Sequence, residues 1–376
     1  MPEIRIFAGN SSRGFAEKMC SFLGIKLGES STIKFSDKNI FVRVDESIRN
    51  SDVFIVQSIG KSPNDELVEL LFWIDAFKRA SASSVTAIIP YFGYAKGDKK
   101  DEPRVSIRAR VCADCIETVG ADRVITMDLH SAQVQGFFTK PVDHLYGQKL
   151  LCEYARRMGI VDDELVIVSP DAGFAKRARL FATELDRPVA IGDKVRTAHD
   201  ENAKVLEIIG DVKGKNCLVV DDFTISGGTI SDVAHGLKDK GAKDVYAFLS
   251  HVVLNEAGVQ KIEQSPIKTL VSTDTVECPA IKNSSKIKII SAAPLFAQAV
   301  YTIHERQPMS YMFGHLSDKL FEMSFSEQLS MFEDRKEKKT RRFRTVFIRI
   351  NSCLKIKRTS RVMSFLCYMF LLKYDL

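Results

Sequence analysis

The feature that most constrains the fold is a regular alternation of short apolar runs with amphipathic stretches of helical periodicity. The runs IRIFA (4–8), VTAIIPY (85–91) and LVIVSP (165–170) have the length and composition of buried strands. In the stretch DELVELLFWIDAFKRASA (65–82), apolar residues recur at helical spacing. Strands that are apolar throughout and separated by helices are typical of parallel sheets covered on both faces. The sequence therefore predicts an α/β fold with functional residues at the carboxyl ends of its strands.

The alternation occurs twice, so we expect two similar domains in tandem. The predicted boundaries are 1–147 for the N-terminal domain and 148–305 for the C-terminal domain, which holds the glycine-rich loop described below. Residues 306–316 are expected to close the core, and residues 317–376 to form a disordered extension whose deletion leaves catalysis intact. At 376 residues the chain is long enough for two cores of ordinary size.

Positive charge is concentrated in that extension. Residues 317–376 contain 14 Lys and Arg against 7 Asp and Glu, whereas the first 316 residues contain 40 against 41. The predicted core is neutral, so its charge gives no reason to expect nucleic acid or a membrane surface as a partner. No run approaches the ~20 apolar residues of a membrane-spanning helix, and the chain does not open on a signal-peptide pattern. We expect a cytoplasmic protein and assign no partner to the extension.

The stretch LVVDDFTISGGTI (218–230) combines two kinds of ligand-binding group. Its adjacent carboxylates follow an apolar strand pattern over 216–220 and suit the vicinal hydroxyls of a sugar. Its glycines let the backbone close around a ligand, and N–H groups at a helix start attract a phosphate. A ribose 5-phosphate unit offers both groups, whereas the alternative is an ordinary strand–turn–helix with polar caps. The predicted sugar site consists of Asp221, Asp222, Ile225, Ser226, Gly227, Gly228 and Thr229.

Four stretches together carry a resemblance to a known family. PYFGYAKGDKKDEPR (90–104), MDLHSAQVQGFFTKPVD (127–143), SPDAGFAKRAR (169–179) and the loop 218–230 occur in the order and spacing of ribose-phosphate pyrophosphokinases. The resemblance covers about residues 3–316. It implies two tandem phosphoribosyltransferase-like domains, each a mainly parallel sheet flanked by helices.

The resemblance also implies an activity in nucleotide biosynthesis. In this family the 1-hydroxyl of ribose 5-phosphate attacks the β-phosphorus of ATP, with Mg²⁺ as cofactor, to give phosphoribosyl pyrophosphate and AMP. Such a transfer depends on in-line positioning and on neutralising negative charge. Two alternatives are a non-catalytic regulatory subunit of that enzyme and a phosphoribosyltransferase, which shares the ribose loop.

Residues for the metal and for the transfer step follow from the same resemblance. The implied metal ligands are Asp128, His130, Asp143 and Asp171. The implied catalytic residues are His130 together with Lys194 and Arg196, which lie on a lid loop over 193–204. Some positions depart from the family pattern, because Thr139 stands where many members have an acid and Phe174 replaces a common glycine. Further departures are Ile225, where several members have a third acid in the ribose loop, Asn39, where many have Glu, and Lys96, where Arg is usual.

The resemblance places the adenine between two subunits. Phe35, Asp37 and Asn39 alternate in KFSDKNIFVR (34–43), which predicts that they share one face of a strand. The resemblance implies that a neighbouring subunit supplies this strand. The full set implied for ATP is Phe35, Asp37, Asn39, Lys96, Asp101 and His130. Since a monomer would hold only part of this site, we expect a homo-oligomer, namely a hexamer built from dimers.

A regulatory phosphate and nucleotide site is a further implication of the resemblance. Its residues would be Arg49, Ser81, Arg104 and Ser310.

Overall fold

The protein is organised around two open sheets flanked by helices. A computed structural model of the chain describes residues 3–196, 204–314 and 316–326. The described residues belong to one compact unit that ends at Ser326. Most of the predicted extension, from residue 327 onward, lies outside the described residues.

The first half of the chain forms one five-stranded sheet and one separate hairpin. Its elements in chain order are β1 (Ile4–Ala8), α1 (Arg13–Leu23), β2 (Ser30–Lys34), β3 (Ile40–Val44), β4 (Asp52–Val56), α2 (Pro63–Arg79), β5 (Ser84–Ile89), α3 (Arg108–Thr118), β6 (Arg123–Met127) and β7 (Val142–Leu145). The sheet has the order β1-β4-β5-β6-β7 and is parallel throughout. Strands β2 and β3 form the antiparallel hairpin.

The second half forms a seven-stranded sheet. Its elements in chain order are α4 (Gln148–Arg157), β8 (Leu165–Ser169), α5 (Ala175–Leu185), β9 (Val189–Arg196), β10 (Lys204–Ile209), β11 (Asn216–Thr224), α6 (Gly228–Asp239), β12 (Val245–Val252), α7 (Glu256–Gln264), β13 (Ile267–Thr273), β14 (Ile287–Ile290), α8 (Ala293–His304) and α9 (Asp318–Ser324). The sheet order is β10-β9-β8-β11-β12-β13-β14, and only the β9–β10 pair is antiparallel.

Apolar periodicity explains why these segments pack as they do. Helix α2 places Trp73, Ile74 and Phe77 on its inner face, where all three are fully buried against the first sheet. The strands contribute runs buried on both faces, as the sequence predicted for parallel sheets. The predicted α/β class, with two phosphoribosyltransferase-like sheets, is confirmed. The domain limits at 147 and 305 stay a prediction, although the first of them falls between the last strand of one sheet and α4.

Two local predictions were wrong. Strand β11 continues through Asp221 and Asp222 to Thr224, whereas the sequence predicted its end at residue 220. Residues 35–39 form the turn between β2 and β3, so Phe35, Asp37 and Asn39 do not alternate along a strand. The reason is that Lys38 adopts a left-handed φ of 70° and donates its N–H to the Phe35 carbonyl, which closes the turn.

The start of the predicted extension is also ordered, contrary to the prediction. Helix α9 begins with the Ser317 hydroxyl accepting the Leu320 N–H, and the Ser324 carbonyl accepts the Ser291 N–H at 2.8 Å. Leu320 and Phe325 are fully buried. Apolar burial therefore overrides the polar composition of this segment up to residue 326.

Within residues 3–196, 204–314 and 316–326, no helix combines the length and the apolarity that a bilayer crossing requires.

Candidate active site

The carboxyl ends of the two sheets face each other, and the polar residues of the site lie between them. His251 on β12 places Nε2 3.1 Å from the Met127 carbonyl oxygen at the end of β6. Tyr91, which follows β5, packs its ring 6.3 Å from that of Phe223 on β11 and 4.9 Å from that of His251. This junction brings together residues that are 124 to 160 positions apart in the chain.

Asp128 forms a tight turn at the end of β6. Its φ of 41° is left-handed, which is uncommon for a residue other than glycine. Its carboxylate accepts three hydrogen bonds, from Arg177 Nη2 at 2.9 Å, the Gly147 N–H at 2.8 Å and the Ser250 hydroxyl at 2.5 Å. These donors lie on three different elements, so the buried carboxylate fastens the turn to both halves of the molecule.

His130 follows this turn and reaches the second sheet. Its Nδ1 lies 2.8 Å from Asp222 Oδ2, while about half of its side chain remains exposed. The hydrogen bond to Asp222 raises the pKa of His130 above its ordinary value. Burial works to raise the pKa of Asp222, but the hydrogen bond and charge of His130 outweigh it and lower that pKa. The pair therefore favours a carboxylate beside an imidazolium.

The two adjacent carboxyls of β11 differ in their ionisation. Burial, reinforced by the charge of Asp222, raises the pKa of Asp221 well above its ordinary value. Asp221 Oδ1 accepts the Asp222 N–H at 2.9 Å, and Asp222 Oδ1 accepts the Phe223 N–H at 2.8 Å. Because like charges this close cannot both ionise easily, Asp222 ionises more readily than Asp221.

The glycine-rich loop lies between β11 and α6. Gly227 has a φ of 71°, and a Cβ built on it would lie 3.0 Å from the Gly258 carbonyl oxygen, so the position requires glycine. Ile225, Ser226 and Thr229 are exposed, and Gly228 begins the helix. The loop thus joins a helix start to two exposed residues that carry hydroxyl groups, Ser226 and Thr229.

Lys96 belongs to the same cluster. Its Nζ lies 4.7 Å from the centre of the Phe223 ring, and the His130 ring packs edge-on against that ring at 5.4 Å. Burial lowers the pKa of Lys96, while the charge of Asp222 works in the opposite direction. The predicted residues Lys96, His130 and Asp222 therefore converge around one phenylalanine, Phe223, that the sequence did not single out.

The four predicted metal ligands do not gather in one place. Asp143 lies on β7 and forms an ion pair with Arg123 at 2.5 Å, and Asp128 is occupied by its three donors. Asp171 is exposed after β8, where Oδ1 accepts the Phe174 N–H at 2.9 Å. Among residues 3–196, 204–314 and 316–326, no group of three His, Cys, Asp or Glu side chains could hold an ion.

Thr139 lies beside Glu117, whose carboxylate accepts from the Thr139 N–H and from its hydroxyl.

The residues predicted to bind adenine, Phe35, Asp37 and Asn39, lie at the surface in the turn of the β2–β3 hairpin. They are distant in sequence from the residues that converge around Phe223. Phe35 is half exposed at the tip of the hairpin, and the Asp37 carboxylate accepts the Asn39 N–H at 2.9 Å. Asp101 lies on an exposed loop, 3.8 Å from Lys99 Nζ.

The predicted lid is described only in part. Lys194 and Arg196 lie on β9, with their backbones paired to Leu206 and Lys204 of β10. Their side chains, and residues 197–203, are outside the described part of the chain. The antiparallel pairing shows that both residues belong to a hairpin rather than to the loop predicted over 193–204.

The residues predicted to form a regulatory site lie at the surface. Arg49, Arg104 and Ser310 are exposed, and Ser81 is partly exposed. Ser81 and Arg104 have left-handed φ values of 65° and 66°, and the Asn50 N–H donates to the Ser81 carbonyl. The structure brings the turn at 49–50 next to Ser81 but gives no contact among all four residues.

Arg177 is the main site residue that sequence reasoning missed. Its guanidinium donates to Asp128 and to the Leu129 carbonyl oxygen at 3.3 Å. It also lies 5.8 Å from the Tyr146 ring and 5.7 Å from the Phe174 ring. The basic run after Asp171 was visible in the sequence, yet nothing in it marked which arginine turns inward.

Comparisons with known proteins agree over most of the chain. A family model described as the N-terminal domain of ribose phosphate pyrophosphokinase matches residues 4–120. A second, described as a phosphoribosyl synthetase-associated domain, matches residues 186–314.

Similar proteins and a similar solved structure extend this match. Proteins named ribose-phosphate pyrophosphokinase are 44% identical in Clostridium tetani and 46% identical in Caldanaerobacter subterraneus. These alignments cover 82% of this chain and 97% and 98% of the relatives. The crystal structure of phosphoribosylpyrophosphate synthetase from Mycobacterium smegmatis is 37% identical, with a TM-score of 0.76 over 81% of this chain and 99% of that one. The match therefore spans both sheets.

Proposed function

The chain belongs to the ribose-phosphate pyrophosphokinase family and is a transferase of that class, and we propose that its reaction takes place at the junction between the two sheets. The reaction moves a pyrophosphoryl group from ATP to ribose 5-phosphate and leaves AMP. The contact that carries this placement is the 2.8 Å hydrogen bond between His130 and Asp222. It joins the predicted nucleotide side of the site to the predicted sugar side.

The sugar side of the proposal is the loop after β11. The start of α6 at Gly228 and the exposed hydroxyls of Ser226 and Thr229 suit the 5-phosphate of the sugar. Asp221 and Asp222 lie at the other end of the loop, where a ribose diol would find its acceptors. The departure at Ile225 leaves these two carboxyl groups as the acidic part of the sugar site.

The nucleotide side is formed by His130 and Lys96. Both carry positive charge around Phe223, and the raised pKa of His130 keeps its imidazolium populated. As the pyrophosphoryl group is transferred, negative charge spreads over its oxygens, so fixed cations lower the barrier without forming a bond. Asp222 orients the imidazolium through its hydrogen bond to Nδ1 and leaves Nε2 for the phosphates.

Magnesium is the cofactor that this proposal requires. It prefers oxygen ligands and is commonly held by one or two carboxylates plus the phosphates of the substrate, so a cluster of three protein ligands is unnecessary. Asp171 fits this role because its carboxylate is exposed and close enough to raise the pKa of Asp221. Asp128 and Asp143 are both paired with arginines. When bound, the ion supplies charge neutralisation at the phosphates.

Lys194 and Arg196 complete the proposed machinery from the β9–β10 hairpin. Lysine would act as a point charge and arginine as a two-pronged donor to the transferring group. We expect Lys194→Ala to lower kcat at least ~100-fold, the scale of losing one preorganised charge contact. Steady-state release of AMP measures this effect, and near-normal turnover would remove Lys194 from the mechanism.

The hairpin β2–β3 supports an oligomeric enzyme. Three of its large apolar side chains, Ile33, Phe35 and Phe41, are exposed by 44–50%. A cluster of this kind on one element suits coverage by another chain. We propose a homo-oligomer, a hexamer built from dimers, in which Phe35, Asp37 and Asn39 reach the nucleotide of a neighbouring subunit. Analytical ultracentrifugation tests the assembly, and a monomer at micromolar concentration would contradict it.

One assay separates the proposed function from its two alternatives. Purified protein with ATP, ribose 5-phosphate and Mg²⁺ should release AMP, and omission of any one component should abolish the release. A phosphoribosyltransferase would instead consume phosphoribosyl pyrophosphate with a nucleobase. A non-catalytic regulatory subunit would give neither product. Repeating the assay with other nucleoside triphosphates measures how Lys96 and Asn39 affect nucleotide choice.

A further inference from the structure

Arg177 connects the two halves of the molecule at the turn that precedes His130. It lies in the first turns of α5, in the second half, and its side chain reaches the end of β6 in the first half. Nη2 donates to Asp128 Oδ1 at 2.9 Å, and Nη1 donates to the Leu129 carbonyl oxygen at 3.3 Å. The guanidinium therefore contacts both residues immediately before His130.

Aromatic rings hold the guanidinium in place. Its central carbon lies within 6 Å of the rings of Tyr146 and Phe174, the range of a cation–π interaction. The Tyr146 ring in turn packs 4.5 Å from the ring of His144. Phe174 thus supplies one of the two rings that contact the guanidinium. The two rings contact the guanidinium, while its N–H groups donate to Asp128 and to the Leu129 carbonyl oxygen.

The turn that Arg177 contacts is strained, and its backbone N–H groups are hydrogen bonded. A left-handed φ at a residue other than glycine persists only where the surroundings hold it, and Asp128 has a φ of 41°. The Asp128 N–H donates to Leu145 at 3.1 Å, and the Leu129 N–H donates to His144 Nε2 at 2.9 Å.

We propose that Arg177 is a positioning residue for His130, with Asp128 as its buried counter-ion rather than a ligand of the metal. This inference rests on the proposed function, because it assigns a role within that site. Arg177 fixes the carboxylate and the carbonyl of the two residues before His130, and the turn then directs the imidazole to Asp222. Without the guanidinium, the strained turn relaxes and the imidazole leaves the carboxylate.

The test compares Arg177→Met with Arg179→Met. Arg179 lies on the same helix and is exposed, so its variant controls for loss of an arginine from α5. We expect Arg177→Met to lower kcat on the order of 100-fold, the scale of a misplaced catalytic group, with a change of less than about threefold in KM for ribose 5-phosphate. Arg179→Met should match the parent in both constants. An equal rise in KM for ATP and in KM for ribose 5-phosphate, with unchanged kcat, would overturn the positioning role.

A crystal structure of Arg177→Met decides the same question without activity. We expect the separation of His130 Nδ1 and Asp222 Oδ2 to exceed the ~3.2 Å limit of a hydrogen bond. Retention of the present 2.8 Å would contradict the inference. If the methionine variant fails to fold, Arg177→Lys keeps the charge but lacks the two-pronged donor, and the same distance is measured there. A parent protein that releases no AMP contradicts the proposed function instead, and the crystallographic result still stands.

Discussion

The turn after β6 and the loop after β11 face each other across the site, yet they are built in opposite ways. The Asp128 turn is buried, and its polar groups are engaged by donors from three other elements. The loop at 225–229 is largely exposed and avoids strain by placing glycine at its left-handed residue, Gly227. The first arrangement fixes one group, His130, in space, whereas the second leaves room for a ligand. The difference is consistent with our proposal, in which the turn positions a catalytic group and the loop binds the sugar phosphate.

The largest effect is expected from breaking the buried turn. Asp128→Ala leaves the Arg177 guanidinium without its counter-ion, and removal of one partner from a buried ion pair costs about 3–5 kcal/mol. We expect a loss of this size in the free energy of unfolding, measured by urea denaturation, together with loss of AMP release. A loss below about 1 kcal/mol would show that the turn is not held as described.

Truncation tests whether a buried segment outside the junction affects stability alone. Ending the chain after Leu316 removes α9, including the buried Leu320 and Phe325, and should lower the free energy of unfolding by at least ~3 kcal/mol. Ending it after Ser326 keeps these residues and should leave stability within ~0.5 kcal/mol of the parent. Activity per folded molecule should be retained by both forms. Equal stabilities of the two truncated forms would mean that α9 contributes nothing to the free energy of unfolding.

The end of β11, on the proposed sugar side, should respond in the opposite sense to the buried turn. Asp221→Asn removes a carboxylate proposed to bind the sugar hydroxyls and should lower kcat about 100-fold. Because burial raises the pKa of Asp221, folding opposes its ionisation, and the amide should raise the free energy of unfolding at pH 8 by about 1 kcal/mol or more. Steady-state kinetics and urea denaturation of the same sample measure the expected fall in kcat and the expected rise in the free energy of unfolding.

The pH dependence of that stability gain gives an independent check. Below the ordinary Asp pKa of about 4, the carboxyl is protonated in both the folded and the unfolded protein, so the parent and Asp221→Asn should differ little. As the pH rises above that value, the unfolded state loses its proton first and the parent loses stability relative to the variant. A gap that narrows with rising pH would contradict the assigned direction of the pKa.

The smallest effect is expected at Gly227. Gly227→Ala adds a Cβ at a φ of 71° and 3.0 Å from the Gly258 carbonyl oxygen, which should cost about 1–2 kcal/mol of unfolding free energy. Gly214→Ala is a matched control, because it has a φ of 72° but open space around the new methyl group. A larger loss at Gly214 than at Gly227 would show that the close approach at the loop carries no cost.

Local patterns explain which parts of this account the sequence could predict. Periodicity identified the main strands and α2, because it depends on neighbouring residues. The assignment of 218–230 to ribose 5-phosphate also comes from local composition, and it stays a prediction. The extension of β11 through Asp221 and Asp222 was missed because the polar residues resemble a loop, although they pair with β12. The turn at 35–39 was missed because its residues alternate as a strand would.

The remaining site depends on contacts between distant segments. Arg177 and Asp128 are 49 positions apart, and His130 and Asp222 are 92 apart, so no local pattern records either pair. Asp128 and Asp143 have the residue type of metal ligands, but only the fold shows that arginines engage them. Helix α9 lies in a segment whose overall composition is polar, and its order comes from the burial of Leu320 and Phe325.

The most direct test of the central claim is a crystal structure with ribose 5-phosphate, Mg²⁺ and a non-hydrolysable ATP analogue bound together. We predict that the 5-phosphate lies on the loop at 225–229, and that the triphosphate lies beside His130 with its β-phosphorus next to the sugar 1-hydroxyl. Occupation of two separate pockets, with neither ligand in contact with the His130–Asp222 pair, would contradict the account.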